Sequence, residues 1–238
     1  MICKDNKTGR IFVIEGTDFS GKTTQYEMLK ERFEKEGISF ASDSFPNYGT
    51  EGCYFVDAYL KGVFCDKPTD INPKLASLFY TMDRYASFKT REWGKKYLEG
   101  ENILFARYIT SNILHQASKY EDSKDKFEFI DWLYEYECGL FGLPKEDCVI
   151  LLDMPQDVAS ELKKKRLVEQ NGLTSSGGTK DIHEEDMEYL KKSYNTALEV
   201  AEYLNWNVVH CVDETGRLKT IEEIHNEIYD IVMTVLKK

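Results

Sequence analysis

The octapeptide Gly16-Thr17-Asp18-Phe19-Ser20-Gly21-Lys22-Thr23 constrains this chain more than any other feature. It fills the pattern Gly-x-x-x-x-Gly-Lys-Thr, in which backbone N–H groups turn inward around phosphate oxygens. Its surroundings agree. The apolar, β-rich run Ile11-Phe12-Val13-Ile14 precedes it, and Met28, Leu29, Arg32 and Phe33 follow at helical spacing as far as Gly37. A strand that feeds a glycine turn and then a helix sets the positive N-terminal end of the helix against an anion. Gly16, Ser20 and Gly21 would form the cradle together with Lys22, Thr23 and Thr24. The Lys22 ammonium would neutralise β- and γ-phosphate charge, and the Thr23 hydroxyl would ligate Mg2+. ATP with Mg2+ is the ligand this loop predicts.

The rest of the chain repeats the alternation. Ile38 to Asp43 reads as a second strand, Asn102 to Phe105 as a third, Cys148 to Leu152 as a fourth and Val208 to Val212 as a fifth. Asn72-Pro73 starts a helix, with Asn72 as cap and Pro73 in the first turn. Leu75, Leu78, Phe79, Met82 and Tyr85 mark one apolar face of that helix. Further helices are expected over Asn112 to Lys119 and Gln156 to Val168. Two more carry the faces Met187-Leu190-Tyr194-Ala197-Leu198-Ala201 and Ile221-Ile224-Ile228-Ile231-Val235. Strands alternating with helices predict an α/β fold, a central parallel sheet flanked by helices. No repeat or linker divides residues 1–238, so one domain is expected. Gln170 to Lys180, rich in Gly, Ser and Thr, reads as a mobile lid inside the pattern, spanning about 163–183 with its flanks.

Charge and cysteine usage exclude other classes. A net charge of −11 argues against sequence-independent nucleic-acid binding, which needs a basic face. The apolar runs are too short to span a bilayer, and no signal peptide is legible, so a cytoplasmic location is expected. Cys3, Cys53, Cys65, Cys138, Cys148 and Cys211 form no Cys-x-x-Cys pair and no zinc spacing with histidine.

An ordered set of segments resembles the thymidylate kinase family. Ile14-Glu15-Gly16-Thr17-Asp18 with Gly21-Lys22-Thr23-Thr24-Gln25 is similar to its opening. Phe45-Pro46-Asn47-Tyr48-Gly49-Thr50, Leu78 to Tyr85, and Arg107-Tyr108 with Ser111, Asn112 and Gln116 follow in order, then Leu152-Asp153-Met154-Pro155 and Asp181 through Tyr194. The likeness runs from about residue 11 to residue 230 and implies a five-stranded P-loop fold catalysing ATP + dTMP → ADP + dTDP. It implies that Asp18 accepts a hydrogen bond from the deoxyribose 3′-hydroxyl and that Phe45, Pro46 and Ser111 line the acceptor site. By the same likeness Arg107 grips the monophosphate, Arg84 and Asn112 read the base edge, Tyr80 stacks on the base and His115 stands beside the sugar. Tyr80 also fits a buried apolar stripe, and Asp83-Arg84 also fits a solvated helix pair.

Phe19 stands where some relatives carry an arginine, so the lid would supply the cation, with Arg166 first and Lys164 beside it. The run Lys163 to Arg166 also suits a solvated helix end. Two positions depart from the family. Tyr48 replaces an arginine of some relatives, and Ala106 replaces the aspartate of Asp-Arg-Tyr. The resemblance further implies a homodimer, with small-molecule nucleotides as the ligands. Two other readings stay open: a kinase for another nucleotide or deoxynucleoside, and a nucleotide-binding pseudoenzyme, which Ala106 motivates.

Overall fold

Side-chain alternation decides the layers. Along β1 (Ile11–Gly16), Ile11 and Val13 enter one apolar cluster while Phe12 and Ile14 enter another. Successive side chains of a strand point to opposite faces, so each strand feeds both cores. The split recurs in β3 (Asn102–Ala106), where Ile103 and Phe105 oppose Leu104. It recurs again in β4 (Cys148–Asp153), where Val149 and Leu151 oppose Ile150 and Leu152. With β2 (Phe40–Ser44) and β5 (Asn207–His210) these make a five-stranded sheet in the order β2-β3-β1-β4-β5. Every pairing is parallel, with Ile14 opposite Ala106 on one side and Gly16 opposite Leu152 on the other. This computed structural model describes residues 8–17, 19–170 and 187–237.

The helices follow in chain order as α1 (Lys22–Glu36), α2 (Tyr54–Leu60), α3 (Pro73–Thr90), α4 (Glu92–Leu98) and α5 (Ile109–Ala117). α6 (Ser123–Tyr134), α7 (Gln156–Gln170), α8 (Met187–Tyr203) and α9 (Ile221–Leu236) complete them. α1 and α9 pack on one face of the sheet through Leu29, Phe33, Ile224 and Ile228. α4, α5, α6 and α8 cover the other through Trp93, Ile113, Ile130 and Val200. Local signals set several ends. Asn72 accepts the Lys74 N–H at 2.9 Å and Pro73 opens α3, as its sequence predicts. At the end of α1, Gly37 takes φ 69° and Ile38 donates to the Phe33 carbonyl at 2.9 Å. Ile38 therefore closes a helix, and β2 starts at Phe40 instead of Ile38. β5 stops at His210, because Val212 pairs antiparallel with Leu218.

α3 departs further from expectation. Its apolar stripe is not the buried face: Leu75 and Met82 are 49% and 47% exposed. The buried face carries Ala76, Ser77, Thr81, Asp83, Arg84 and Ser87. Polar side chains can occupy it because Asp83, Arg84 and Ser87 find partners in the segment after β2 or in a π-helical turn at Glu135–Leu140, while Ser77 and Thr81 donate to the Pro73 and Ser77 carbonyls of their own helix. α2, α4, α6 and that turn have no counterpart in the sequence reading. Asp18 and residues 171–186, which include most of the expected lid loop, lie outside the described residues.

Candidate active site

β1 lies between β3 and β4; after β1 the chain moves to the side that holds β2 and β3, and after β3 it crosses to the side that holds β4 and β5. Open parallel sheets bind ligands at the carboxyl ends of strands where the order reverses in this way. The phosphate loop leaves β1 at that edge. A Cβ on Gly16 would lie 2.6 Å from Ser20 Oγ and 3.1 Å from the Leu152 carbonyl, so only glycine fits. Gly21 takes φ 88° as it enters α1. The first-turn N–H groups of that helix have no intrahelical acceptor and suit an anion.

Lys22 is buried, and its Nζ donates to the carbonyls of Gly16 and Thr17, each at 2.6 Å. Ser20 Oγ is buried with no hydrogen-bond partner among the described residues. Thr23 and Thr24 are exposed on the first turn. A glycine that no Cβ could replace, an orphaned hydroxyl and a fixed ammonium together fit a polyphosphate. The open Thr23 hydroxyl is a hard oxygen donor of the kind Mg2+ takes, alongside phosphate oxygens.

The neighbouring strand delivers Arg107. Ala106 pairs with Ile14, and Arg107 donates its backbone N–H to the Ile14 carbonyl at 3.4 Å. Arg107 itself takes φ 70°, a left-handed conformation uncommon for a residue with a side chain. Tyr108 anchors the turn: its ring stacks on Phe105 at 4.7 Å and its hydroxyl donates to the Pro144 carbonyl. Ser111, expected at the acceptor site, donates to Glu15 Oε2 at 2.6 Å, and Thr110 donates to the same oxygen at 2.9 Å. Glu15, fully buried beside the phosphate loop, thereby ties α5 to β1.

β2 exits through a cis Phe45–Pro46 bond. The Phe45 ring is buried among Trp93, Phe105 and Tyr108, so it anchors this segment and leaves Pro46 half-exposed. Asn47 is pinned to α3: its N–H donates to Asp83 Oδ2 at 2.9 Å, and Ser87 donates to its side-chain oxygen at 3.2 Å. Burial pushes the Asp83 carboxyl above its usual range, against the pull of the Asn47 amide.

Arg84 is 1% exposed, which rules out the solvated helix pair. It forms a two-pronged ion pair with the fully buried Glu137, Nε to Oε2 at 2.7 Å and Nη2 to Oε1. Burial works against the Arg84 charge, but attraction and hydrogen bonding from Glu137 outweigh it and push the guanidinium pKa up. Asn112 Nδ2 approaches Glu137 Oε1 at 3.3 Å, so α3, α5 and the π-helical turn meet here. Tyr80 is half-buried and sets its ring edge against Tyr59. His115 is half-buried one turn beyond Ser111.

On the far side of the phosphate loop, Gln156 at the start of α7 reaches Thr17 Oγ1 at 3.4 Å. Lys164 is exposed about two turns further on. Arg166 is on the same helix, and Asp18 lies outside the described residues. The sequence reading missed Glu137 and the part played by Glu15. An acid among the aromatics Trp132 to Phe141 was the one available sign of Glu137.

The sheet order, with Gly-x-x-x-x-Gly-Lys-Thr at the carboxyl end of its central strand, defines a P-loop nucleotide-binding fold. The family model described as thymidylate kinase matches residues 14–228. This chain belongs to the thymidylate kinase family. It is 30% identical over 216 residues to the probable thymidylate kinase of Methanocaldococcus jannaschii, covering 91% of this chain and 92% of that one. It is 28% identical over 218 residues to the thymidylate kinase of Mycobacterium tuberculosis, covering 87% of this chain and 94% of the relative. A solved thymidylate kinase from Candida albicans shares the fold with a TM-score of 0.65 at 21% identity, covering 95% and 92% of the two chains. The protein is thus an ATP-dependent nucleoside-monophosphate kinase that phosphorylates dTMP and serves dTTP biosynthesis. Among the described residues, no helix is long and apolar enough to cross a membrane.

Proposed function

We propose that the transfer runs between Lys22 and Arg107. The observation that carries this is the hydrogen bond from Arg107 N–H to Ile14, which joins the arginine's turn to the strand that opens the phosphate loop. ATP lies in the loop with its phosphates on Lys22 and the α1 N-terminus, and Gly16, Ser20, Gly21 and Thr24 line it. Thr23 would hold Mg2+, which neutralises charge on the β- and γ-oxygens when bound. Arg107 grips dTMP through a planar fork matched to two phosphate oxygens. A dTMP oxygen forms a bond to the γ-phosphorus as the bond to the β-bridging oxygen breaks and ADP leaves. That oxygen is anionic near neutral pH, the second phosphate pKa being about 6, so no general base is required.

Arg84 and Asn112 serve the base edge, Tyr80 its face, and Asp18 and His115 the sugar. Phe45, Pro46 and Ser111 shape the acceptor wall. Lys164 and Arg166 supply lid cations from α7, whose first residue already contacts the loop. The whole chain acts as one domain, with residues 163–183 as its lid. ADP release in a coupled assay over a ladder of monophosphate acceptors is the test, and dTMP is expected to lead. Another nucleotide leading the ladder would move the acceptor assignment, and no turnover with any acceptor would leave only nucleotide binding.

Ala106 sits where a carboxylate would orient Arg107 and metal-bound water. Asp153 is held elsewhere, with Tyr194 donating to its Oδ1 at 2.8 Å and His210 Nδ1 lying 2.7 Å from its Oδ2. Outer partners of this kind are worth about 10–100-fold in metal affinity or activity. Ala106→Asp is therefore expected to raise turnover within that range and to lower the Mg2+ concentration for half-maximal rate. Steady-state kinetics against Mg2+ in both forms decides it, and an Asp enzyme no faster than the native one removes this role from position 106.

A homodimer is supported by the exposed stripe of α3. Leu75, Phe79 and Met82 lie on one side of that helix; Phe55 stacks on Phe79 at 5.8 Å, and the Phe64 ring lies tilted against it at 5.6 Å. An exposed contiguous apolar face of this kind marks an association surface. Phe55→Glu with Met82→Glu is expected to halve the mass seen by sedimentation equilibrium; an unchanged mass refutes this interface. The described cysteines are all free, which supports a cytoplasmic location.

A further inference from the structure

The polar cluster between α3, α5 and the π-helical turn leaves a definite remainder of donors and acceptors. Both Glu137 oxygens are occupied. Oε2 accepts from Arg84 Nε at 2.7 Å, while Oε1 accepts from Arg84 Nη2 and, at 3.3 Å, from Asn112 Nδ2. The Asn112 amino group also faces the Ser77 carbonyl at 3.4 Å. An amide turned the other way would set its oxygen against a carboxylate and a carbonyl, two acceptors. The orientation of Asn112 is therefore fixed, and its Oδ1 is buried with no hydrogen-bond partner among the described residues. A guanidinium has five N–H donors. Glu137 takes two of those on Arg84, and the Tyr108 carbonyl lies 3.5 Å from Nη1. Spare donors on Arg84 and one spare acceptor on Asn112 remain, with the arginine's charge balanced where it stands.

We infer that Glu137 is a positioning residue for nucleobase selection. It makes Asn112 an acceptor and Arg84 a charge-balanced donor, and so matches the pocket to the 4-keto, N3–H edge of thymine or uracil. Cytosine presents the reverse, a 4-amino donor beside an N3 acceptor, and would set donor against donor and acceptor against acceptor. Sites built around such bonds can reject a mismatched ligand by about 10⁴-fold or more. The inference rests on the assignment of Arg84 and Asn112 to the base in the preceding subsection.

The test compares kcat/KM for dTMP and dCMP at saturating ATP. In Glu137→Gln the side chain can donate as well as accept, and Asn112 is released to turn over. The dTMP/dCMP ratio is expected to fall about tenfold or more, through KM for the monophosphate, with KM for ATP unchanged. Glu137→Asp remains an acceptor only and is expected to keep the ratio even as KM for dTMP rises. A merely structural role would move ATP and monophosphate together and would not separate Gln from Asp. Should Glu137→Gln fail to fold, the double variant Arg84→Met/Glu137→Leu exchanges the buried ion pair for apolar groups, a change proteins often tolerate. It is expected to fold and to lose the preference for dTMP. A folded Glu137→Gln or double variant with the full native ratio overturns the inference. If Asn112→Ala also keeps that ratio, the assignment of the base site falls with it, a distinct result.

Discussion

Lys22→Ala is expected to stop phosphoryl transfer to dTMP and leave the fold standing. The ammonium is buried and held by two carbonyls of its own loop, so its position is set before nucleotide arrives. Its removal takes away positive charge where phosphate charge gathers, and leaves the Gly16 and Thr17 oxygens without that donor. Losing one preorganised donor at a developing charge costs about 10²–10³ in rate. A full charge facing a triphosphate should cost at least that much, which puts turnover near or below detection. Steady-state kinetics, with circular dichroism as the check on folding, is the measurement. Unchanged turnover would remove the loop from the mechanism altogether.

Arg107→Ala is expected to weaken dTMP binding far more than ATP binding. Charge-assisted hydrogen bonds are worth about 1.5–3 kcal/mol each, and a fork makes two. The loss for dTMP should then be roughly 10²–10⁴-fold. ATP, held by Lys22 and the α1 N-terminus, should lose less than about tenfold. Calorimetric titration with each nucleotide separates the two. Equal losses would mean that Arg107 serves the fold or the donor side.

The parts legible in the sequence were those written locally. The phosphate loop, the α1 spacing and the Asn72-Pro73 start each fit within a few residues, and the sheet followed from alternation. Reading α3 by apolar periodicity alone inverted it. Periodicity finds the apolar side and assumes it is inside, while Arg84 and Asp83 are buried because distant segments supply their partners, and Thr81 because it bonds the Ser77 carbonyl of its own helix. Glu137 was hidden for a related reason. A π-helical turn closes i→i+5 bonds, so residues there leave the 3.6-residue register on which a helical face is counted. The two departures at positions 48 and 106 were visible only against a family pattern, since neither tyrosine nor alanine marks itself as unusual.

The left-handed backbone at Arg107 has a consequence for how that residue can change. A side chain there costs the protein about 1–2 kcal/mol that glycine would not incur. Folding alone would be served better by glycine at this position, so the use of the arginine lies in its head group. The same asymmetry supplies a control. Arg107→Ala removes the head and keeps the strain of a Cβ at this φ, whereas Arg107→Gly removes the head and the strain together. If the two variants lose transfer alike while the glycine variant melts higher, the deficit belongs to the guanidinium and not to a disturbed main chain.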